Sequence, residues 1–227
     1  MALFTLSDLH LSLSADKPMD VFHGWDNYVE RIDSNWRRIV TDSDTVVIPG
    51  DVSWAMHLDD AARDFQFLNA LPGDKIILKG NHDLWWATMA KLNGFITEHG
   101  FDRIKFINNS AIRVGDYAVC GSRGWLLEES GTDSKLINRE VCRLTASLKE
   151  GQKLGGEPVV FLHYPVIYEG QVCEELMSVL TEFGVKKVYY GHLHGASRTH
   201  AFSGEYRGID FKLVSCDCVD FTPVLVR

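Results

Sequence analysis

The feature that most constrains this chain is a set of five short apolar runs, each followed at once by residues that can bind metal ions. The runs are Ala2 to Ser7, Thr45 to Pro49, Lys75 to Lys79, Pro158 to Leu162 and Lys187 to Tyr190. Short runs rich in apolar and β-branched residues predict buried β-strands. The residues that follow them are, in order, Asp8-Leu9-His10, Gly50-Asp51, Gly80-Asn81-His82-Asp83, His163 and Gly191-His192-Leu193-His194.

Segments with helical spacing lie between these runs, at Asn27 to Val40, Leu58 to Leu71, Thr88 to His99, Arg139 to Lys149 and Glu174 to Phe183. This alternation predicts an α/β fold. Shorter strand-like segments, for which antiparallel pairing is expected, are Ile104 to Ile107, Ala111 to Val114, Tyr117 to Gly121, Thr199 to Phe202, Phe211 to Ser215 and Thr222 to Val226. A four-layer α-β-β-α sandwich of two mixed sheets with helices outside accommodates both sets. We expect one domain over residues 1–227, with exposed loops at Glu128 to Ser134 and Glu150 to Glu157.

The polar residues after the five runs are far apart in sequence, yet the fold predicts that they meet. Ligands of open α/β sheets bind beyond the carboxyl ends of the strands, so all five segments should border one crevice. Carboxylate and amide oxygens favour hard divalent ions, and imidazole nitrogens favour transition metals. The mixture indicates manganese, iron or zinc rather than magnesium or calcium alone. Asp51 is the candidate for a shared ligand, because two neighbouring cations need negative charge between them.

The order D-x-H, GD, GNHD, lone His and GHxH resembles the calcineurin-like metallophosphoesterase superfamily over Asp8 to His194, most of the chain. The resemblance implies one divalent ion on Asp8, His10 and His194 and a second on Asn81, His163 and His192, with Asp51 shared between them. It also implies that His82 contacts the substrate phosphate or protonates the leaving group, and that Asp83 orients His82. The small cytosolic phosphohydrolases of bacterial type fit best.

Such a site is suited to a definite reaction. Two ions about 3.5 to 4 Å apart clamp the attacking and leaving oxygens and bring the pKa of a bound water toward about 7. We therefore expect hydrolysis of a phosphomonoester or small phosphodiester, with a metal-bridging hydroxide as nucleophile. The alternatives are a nuclease or nucleotide pyrophosphatase of the same superfamily, or a non-catalytic binding scaffold. The scaffold is disfavoured because none of the motif residues is missing.

Residues outside the motif support fewer conclusions. Arg123 follows a predicted strand beside two glycines, where a guanidinium could bind a substrate phosphate or form a structural salt bridge. Core packing is favoured over a substrate wall for each tryptophan near these segments, namely Trp54, Trp85, Trp86 and Trp125. No catalytic role is expected for the remaining histidines, which are His23, His57, His99 and His200.

Charge and cysteine content bear on partners and location. The chain has 31 acidic and 23 basic residues, a formal charge of -8, which disfavours extended nucleic acid and anionic membranes as partners. We expect a small phosphorylated substrate. Five cysteines without a compact spacing fit a reducing compartment, and no segment resembles a signal peptide or a membrane span, so a cytoplasmic protein is expected.

Overall fold

The structure is a computed structural model that describes residues 1–125 and 134–227. Its strands are β1 Leu3–Thr5, β2 Thr45–Ile48, β3 Asp74–Ile77, β4 Ile104–Phe106, β5 Ile112–Val114, β6 Tyr117–Ser122, β7 Glu157–Leu162, β8 Ile167–Tyr168, β9 Gln171–Val172, β10 Lys187–Tyr190, β11 Gly204–Tyr206, β12 Ile209–Leu213 and β13 Val224–Leu225. Its α-helices are α1 Tyr28–Ile39, α2 Ala62–Ala70, α3 Met89–His99, α4 Ser134–Leu154 and α5 Glu174–Glu182.

Two mixed sheets carry the fold. The first has the strand order β13-β1-β2-β3-β4 and the second β11-β12-β10-β7-β6-β5, while β8 and β9 form a separate hairpin. In the first sheet β1 to β4 are parallel and β13 is antiparallel to β1. In the second sheet β6, β7, β10 and β12 are parallel, and the edge strands β5 and β11 are antiparallel to their neighbours.

Alternation along the strands divides the apolar side chains among three packed layers. On β2, Val46 and Ile48 pack with the residues of α1, α2 and α3, whereas Val47 packs between the two sheets. On β7, Val160 and Leu162 pack with α4 and α5, and Val159 and Phe161 face the inter-sheet layer. Three apolar layers require four structural layers, which confirms the predicted α-β-β-α sandwich.

Helix α1 shows how one such layer is built. Its buried residues Tyr28, Ile32 and Trp36 recur every four positions and form one stripe. Each such side chain stabilises the fold by roughly 1.5 to 3 kcal/mol when it leaves water. The stripe packs against the outer face of the first sheet, which holds the loops after β1 and β2 against a rigid support.

Helix α4 is longer than predicted. It runs to Leu154, so the expected loop at Glu150 to Glu157 is wrong over the first five of its residues, and Glu157 opens β7. Gly151 would ordinarily weaken a helix, but here a Cβ would lie 2.4 Å from Cys120 Sγ, so glycine lets α4 approach β6 closely. Of the other predicted loop, Ser134 opens α4 and residues 128–133 lie outside the described residues.

The strand prediction at Thr199 to Phe202 is also wrong. A 3₁₀ helix, Gly195–His200, covers its first two residues, and the edge strand β11 begins only at Gly204. The hydroxyls of Ser197 and Thr199 donate to the carbonyls of His194 and Ala196, local bonds that compete with a sheet ladder. The expected antiparallel pairing is wrong for three further pairs of strands. β4 is parallel to β3, β6 is parallel to β7, and β12 is parallel to β10.

Within the described part of the chain, no helix has the length and apolar character needed to span a membrane.

Candidate metal centre

The five predicted ligand segments lie at the carboxyl ends of five parallel strands, three in one sheet and two in the other. Asp8 and His10 follow β1, Asp51 follows β2 and Asn81 follows β3. From the second sheet, His163 follows β7, and His192 and His194 follow β10. A parallel bridge between Ser7 and Ser215 joins the sheets beside this point. The site is therefore a cleft where the ends of both sheets meet.

Several of these residues adopt a backbone conformation that L-amino acids rarely adopt. The φ angles of Asp8, His10, Asp51 and His192 are 58°, 47°, 52° and 70°. Such left-handed residues outside glycine persist only where the surrounding structure fixes them, and they cluster at functional sites.

Two glycines allow the loops to come this close. A Cβ on Gly80 would lie 2.1 Å from Asp51 Oδ1, and a Cβ on Gly191 would lie 2.5 Å from Asp8 Oδ2. The GNHD and GHxH motifs thus need glycine because a neighbouring ligand carboxylate occupies the space of its side chain.

The ligand atoms form two overlapping groups. Asp8, His10 and His194 each offer an atom within 4.8 Å of the others, and so do Asp8, Asp51 and His163. Asn81 joins the second group, because its Oδ1 lies 2.6 Å from His163 Nε2 and 2.9 Å from His192 Nδ1. The structure thus brings together all seven residues predicted as ligands.

Two buried atoms of the predicted ligands have no hydrogen-bond partner within the described part of the chain: His10 Nε2 and Asp51 Oδ2. Asp51 Oδ2 lies 3.8 Å from His10 Nε2 and 3.5 Å from His163 Nε2. Leaving buried polar atoms unpaired is costly, so this arrangement fits bound cations.

His163 gives a second indication of a cation. Its Nδ1 lies 3.0 Å from the backbone carbonyl oxygen of Pro49, and its Nε2 lies 2.6 Å from the side-chain oxygen Oδ1 of Asn81. A neutral imidazole donates only one proton, and burial holds the pKa of His163 well below its usual range, so the ring is neutral. When Nδ1–H donates to Pro49, the Nε2 lone pair faces an oxygen lone pair, an arrangement that a metal ion between them would stabilise.

Burial determines the protonation states of the carboxyl and imidazole groups in the cleft. Desolvation raises the pKa of Asp8 to about 6 and that of Asp51 well above its usual value. Desolvation likewise lowers the pKa of His192 to about 4 and that of His10 well below 6.5. Neutral imidazoles are ready ligands, and buried carboxylates need positive charge nearby to ionise. The donor set therefore fits divalent metal ions.

Asp83 is fully buried and holds two of the ligand loops together. Its Oδ2 accepts from the backbone N–H groups of Gly80 (2.7 Å) and Asp51 (2.9 Å). Its Oδ1 accepts from the backbone N–H of Val52 (2.8 Å) and from the indole Nε1–H of Trp85 (3.1 Å). No described hydrogen bond joins it to the His82 imidazole. These contacts make Asp83 a positioning residue for the Asp51 and Asn81 loops, and the predicted orientation of His82 by Asp83 stays a prediction.

His82 is half-buried at the mouth of the cleft. Its backbone N–H donates to Asp51 Oδ1 (2.8 Å), and its ring lies 4.5 Å from that of Trp54 and 5.6 Å from that of His10. Desolvation lowers the pKa of His82. The predicted catalytic role of His82 stays a prediction, and its partial exposure is compatible with contact to a substrate.

Arg123 borders the cleft on the side of the second sheet. Its carbonyl accepts from the backbone N–H groups of His163 (3.2 Å) and Tyr164 (2.8 Å), and its guanidinium lies 5.6 Å from the rings of Trp125 and Tyr164. Among residues 1–125 and 134–227 it forms no ion pair, so the salt-bridge alternative finds no support there.

The tryptophans divide between walls and core. Trp54 stacks on His10, with ring centroids 4.8 Å apart, so it lines the cleft. Trp85 is fully buried, and Trp86 packs on Phe106. Trp25, not singled out in the sequence, lies 6.0 Å from the His10 ring and 6.1 Å from that of His194.

Tyr164 was also missed. Its ring lies 4.4 Å from that of His192. Its position directly after His163 was the only signal in the sequence.

The comparisons with known proteins agree with this site. The model of the calcineurin-like phosphoesterase family matches residues 1–196. A comparison with curated protein sequences gave no match. Among solved structures, the AQ665 protein of unknown function from Aquifex aeolicus is 17% identical with a TM-score of 0.53, over 99% of this chain and 95% of that one. Phosphopantetheinyl hydrolase from Mycobacterium tuberculosis is 14% identical with a TM-score of 0.58, over the same shares.

Identities this low establish only a shared fold, whereas the family model spans all five ligand segments. The predicted resemblance is confirmed. The chain belongs to the calcineurin-like phosphoesterase family and is a metal-dependent phosphoesterase.

Proposed function

We propose that this phosphoesterase uses two divalent metal ions to hydrolyse a phosphomonoester or a small phosphodiester. The observation that carries the proposal is the position of Asp51 Oδ2, a buried carboxylate oxygen without a hydrogen-bond partner among the described residues. It lies between His10 Nε2 and His163 Nε2, one from each ligand group. An oxygen so placed suits a ligand shared by two ions.

The proposed ligands divide as the resemblance implies. One ion takes Asp8, His10 and His194, the other takes Asn81, His163 and His192, and Asp51 serves both. When bound, two such ions supply positive charge at the phosphoryl oxygens and acidify a water. The mixed oxygen and nitrogen donors favour manganese, iron or zinc.

Residues around the ions take the remaining roles. His82, half-buried at the mouth, protonates the leaving-group oxygen or donates a hydrogen bond to the phosphoryl group. Arg123, with no described acidic partner, donates to a phosphate oxygen. Asp83 acts indirectly, by holding the Asp51 and Asn81 loops at the spacing that the ions require.

The substrate is proposed to be small. The formal charge of -8 disfavours an extended nucleic acid, although a nuclease with the same centre would share its chemistry. The name of the structural neighbour from Mycobacterium tuberculosis adds phosphopantetheinyl esters to the compounds worth assaying.

Hydrolysis assays with metal-stripped protein test the proposal. Manganese is added back, and p-nitrophenyl phosphate and bis(p-nitrophenyl) phosphate are supplied as monoester and diester. Wild-type protein should bind two ions per chain and turn over at least one ester, and Asp51→Asn should lose both properties. Asp59→Asn is the matched control, because Asp59 is exposed and is not one of the proposed ligands. This variant should keep both metal binding and turnover. Failure of the wild-type protein to bind metal would overturn the proposal.

A further inference from the structure

A cavity lined by basic side chains adjoins the cleft of the metal centre. It has a volume of about 610 Å³ and lies at the carboxyl ends of β3, β4 and β6, against α4. Four cations line it: Lys79, Arg123, Arg139 and Arg143. We call this cavity, defined by these four residues, the basic pocket. Its wall also offers neutral polar groups, among them Asn108 and Ser122.

Among the residues that the structure describes, the positive charge of the basic pocket is largely uncompensated. Glu140 is the one described carboxylate paired with it, at 2.6 Å from Arg143 and 3.9 Å from Arg139. Lys79 and Arg123 have no ion-pair partner among residues 1–125 and 134–227, and the Nε of Arg123 is buried without a hydrogen-bond partner there. Uncompensated cations around a cavity attract an anion.

A pocket on the opposite flank of the metal centre provides the contrast. It has about 620 Å³ and is lined by His194 and the aromatic residues Phe22, Trp25 and Phe221. Its two arginines are already paired, Arg31 with Asp220 (2.6 Å) and Arg198 with Asp217 (3.6 Å). Among the described residues, the basic pocket thus has cations without an ion-pair partner, whereas both arginines of this second pocket are paired.

The basic pocket is also connected to the metal ligands. Lys79 directly precedes Gly80-Asn81 in the chain. The Arg123 guanidinium lies 5.6 Å from the Tyr164 ring, and the Tyr164 ring lies 4.4 Å from that of the ligand His192. One small molecule could place one end at the metal centre and the other in the basic pocket.

We propose that the basic pocket binds a second phosphate group of the substrate, so that the natural substrate is a small molecule with two phosphate groups. This rests on the proposed function, since the first phosphate is the one that is hydrolysed at the metal centre. Phosphate is favoured over carboxylate because it carries up to two negative charges and presents three oxygens to forked guanidinium donors.

Calorimetric binding to the manganese-loaded protein tests the inference without turnover. The probes are alkane bisphosphonates of increasing chain length and the alkyl monophosphonates of matching length. At one chain length the bisphosphonate should bind about tenfold or more tightly than its partner. Arg139→Gln and Arg143→Gln should each reduce this ratio to about threefold or less. Arg38→Gln, which removes the same charge from an exposed site on α1, should preserve it.

Several outcomes would overturn the inference. Equal binding of bisphosphonate and monophosphonate at every length, or a ratio that survives both pocket variants, would show that the pocket binds no second phosphate. A carboxyalkyl phosphonate that binds as tightly as the bisphosphonate would make the second anion a carboxylate. If a single-stranded oligonucleotide bound more tightly than every bisphosphonate, the substrate would be a nucleic acid and not a small molecule.

The choice of variants guards against misfolding and separates the two proposals. Arg143 pairs with the buried Glu140 and its loss could unfold the chain, whereas Arg139 is half-exposed and lies further from that carboxylate. Thermal melting of each variant checks the fold. Normal manganese binding and p-nitrophenyl phosphate turnover together with no preference for bisphosphonates would refute the inference alone.

Discussion

The two sheets contribute differently to the metal centre. The first sheet supplies every proposed oxygen ligand, from Asp8, Asp51 and Asn81, together with the imidazole of His10. The proposed ligands from the second sheet are all imidazoles, those of His163, His192 and His194. In the sequence these are simply strand ends with polar residues, but in the structure they are chemically distinct halves.

Their hydrogen bonds differ in the same sense. Within the first sheet, Asp83 bonds the loops after β2 and β3 to each other. The second-sheet ligands are in turn oriented by the first sheet: His163 Nδ1–H donates to the Pro49 carbonyl, and the backbone N–H of His192 donates to the Asp8 carboxylate. The first sheet therefore acts as the frame of the centre, and the second sheet completes it.

The largest expected effect concerns Asp51, the carboxylate proposed to serve both ions. Its Oδ2 lies 3.8 Å from His10 Nε2 and 3.5 Å from His163 Nε2, whereas His194 is a proposed ligand of one ion only. Asp51→Asn should lose both ions and lower kcat by about a thousandfold or more, because the negative charge that both ions share is removed. His194→Gln should lose one ion and lower kcat by about a hundredfold.

Metal content by mass spectrometry and turnover of p-nitrophenyl phosphate measure both effects. His57→Gln is the control, because His57 is exposed and lines a pocket with Met56 and Leu84, away from the ligands. Equal losses in Asp51→Asn and His194→Gln would remove the distinction between frame and completing half.

A smaller effect is expected when the frame is loosened without removal of a ligand. Asp83→Asn places an amide N–H₂ against backbone N–H donors, so the unfolding free energy should fall by about 3 kcal/mol. Displacement of the Asp51 and Asn81 loops should lower kcat by about a hundredfold. Chemical denaturation and steady-state kinetics give the two values.

Asp44→Asn tests whether loss of stability alone explains that result. Asp44 is also buried and accepts from the backbone N–H groups of Ala2 (2.6 Å) and Thr41 (2.8 Å), but it lies before β2, at the opposite end of the first sheet. The unfolding free energy of Asp44→Asn should fall by a comparable amount, and its kcat should not change. A similar fall of kcat in both variants would contradict the positioning role of Asp83.

The frame was partly predictable from sequence. Strands such as Thr45–Ile48 follow from their β-branched run, and the ligands from their place directly after strands. The parallel order of those strands was enough to predict that their ends converge. The long-range partners of Asp83 were not predictable, because a carboxylate three residues from glycine gives no sign of which backbone amides it will accept.

The other errors share a cause. The expected loop at Glu150 to Glu157 includes Gly151, a residue of low helix propensity, while the reason for glycine there lies in the distant side chain of Cys120. Trp25 and Tyr164 reach the cleft through tertiary packing, and the only sign of this in the sequence is the position of Tyr164 directly after His163. Local signals thus predicted the elements and ligands, and contacts between distant segments determined the rest.

A third prediction concerns a contribution of the second sheet beyond the metal ligands. Arg123 follows β6 and has no described acidic partner, so Arg123→Gln should raise KM for phosphate esters or lower kcat, by about tenfold. Metal content should not change. Arg113→Gln, on the neighbouring β5, is the control, since its guanidinium bonds the carbonyls of Gly115 and Leu154 away from the cleft. A drop in bound metal would instead assign Arg123 to the frame.

The smallest effect is expected when Asp83 loses one of its four short hydrogen bonds and keeps the other three. Trp85→Phe removes only the Nε1–H bond to Asp83 and some packing, while three short backbone N–H bonds to that carboxylate remain. The unfolding free energy should fall by about 2 kcal/mol and kcat should change by less than about twofold. Trp36→Phe is the matched control, because Trp36 is equally buried and its Nε1–H donates to the Pro72 carbonyl, far from the cleft. If Trp85→Phe lowered kcat tenfold relative to Trp36→Phe, the backbone bonds alone would be too weak to position Asp51, and the frame would extend into the aromatic core behind it.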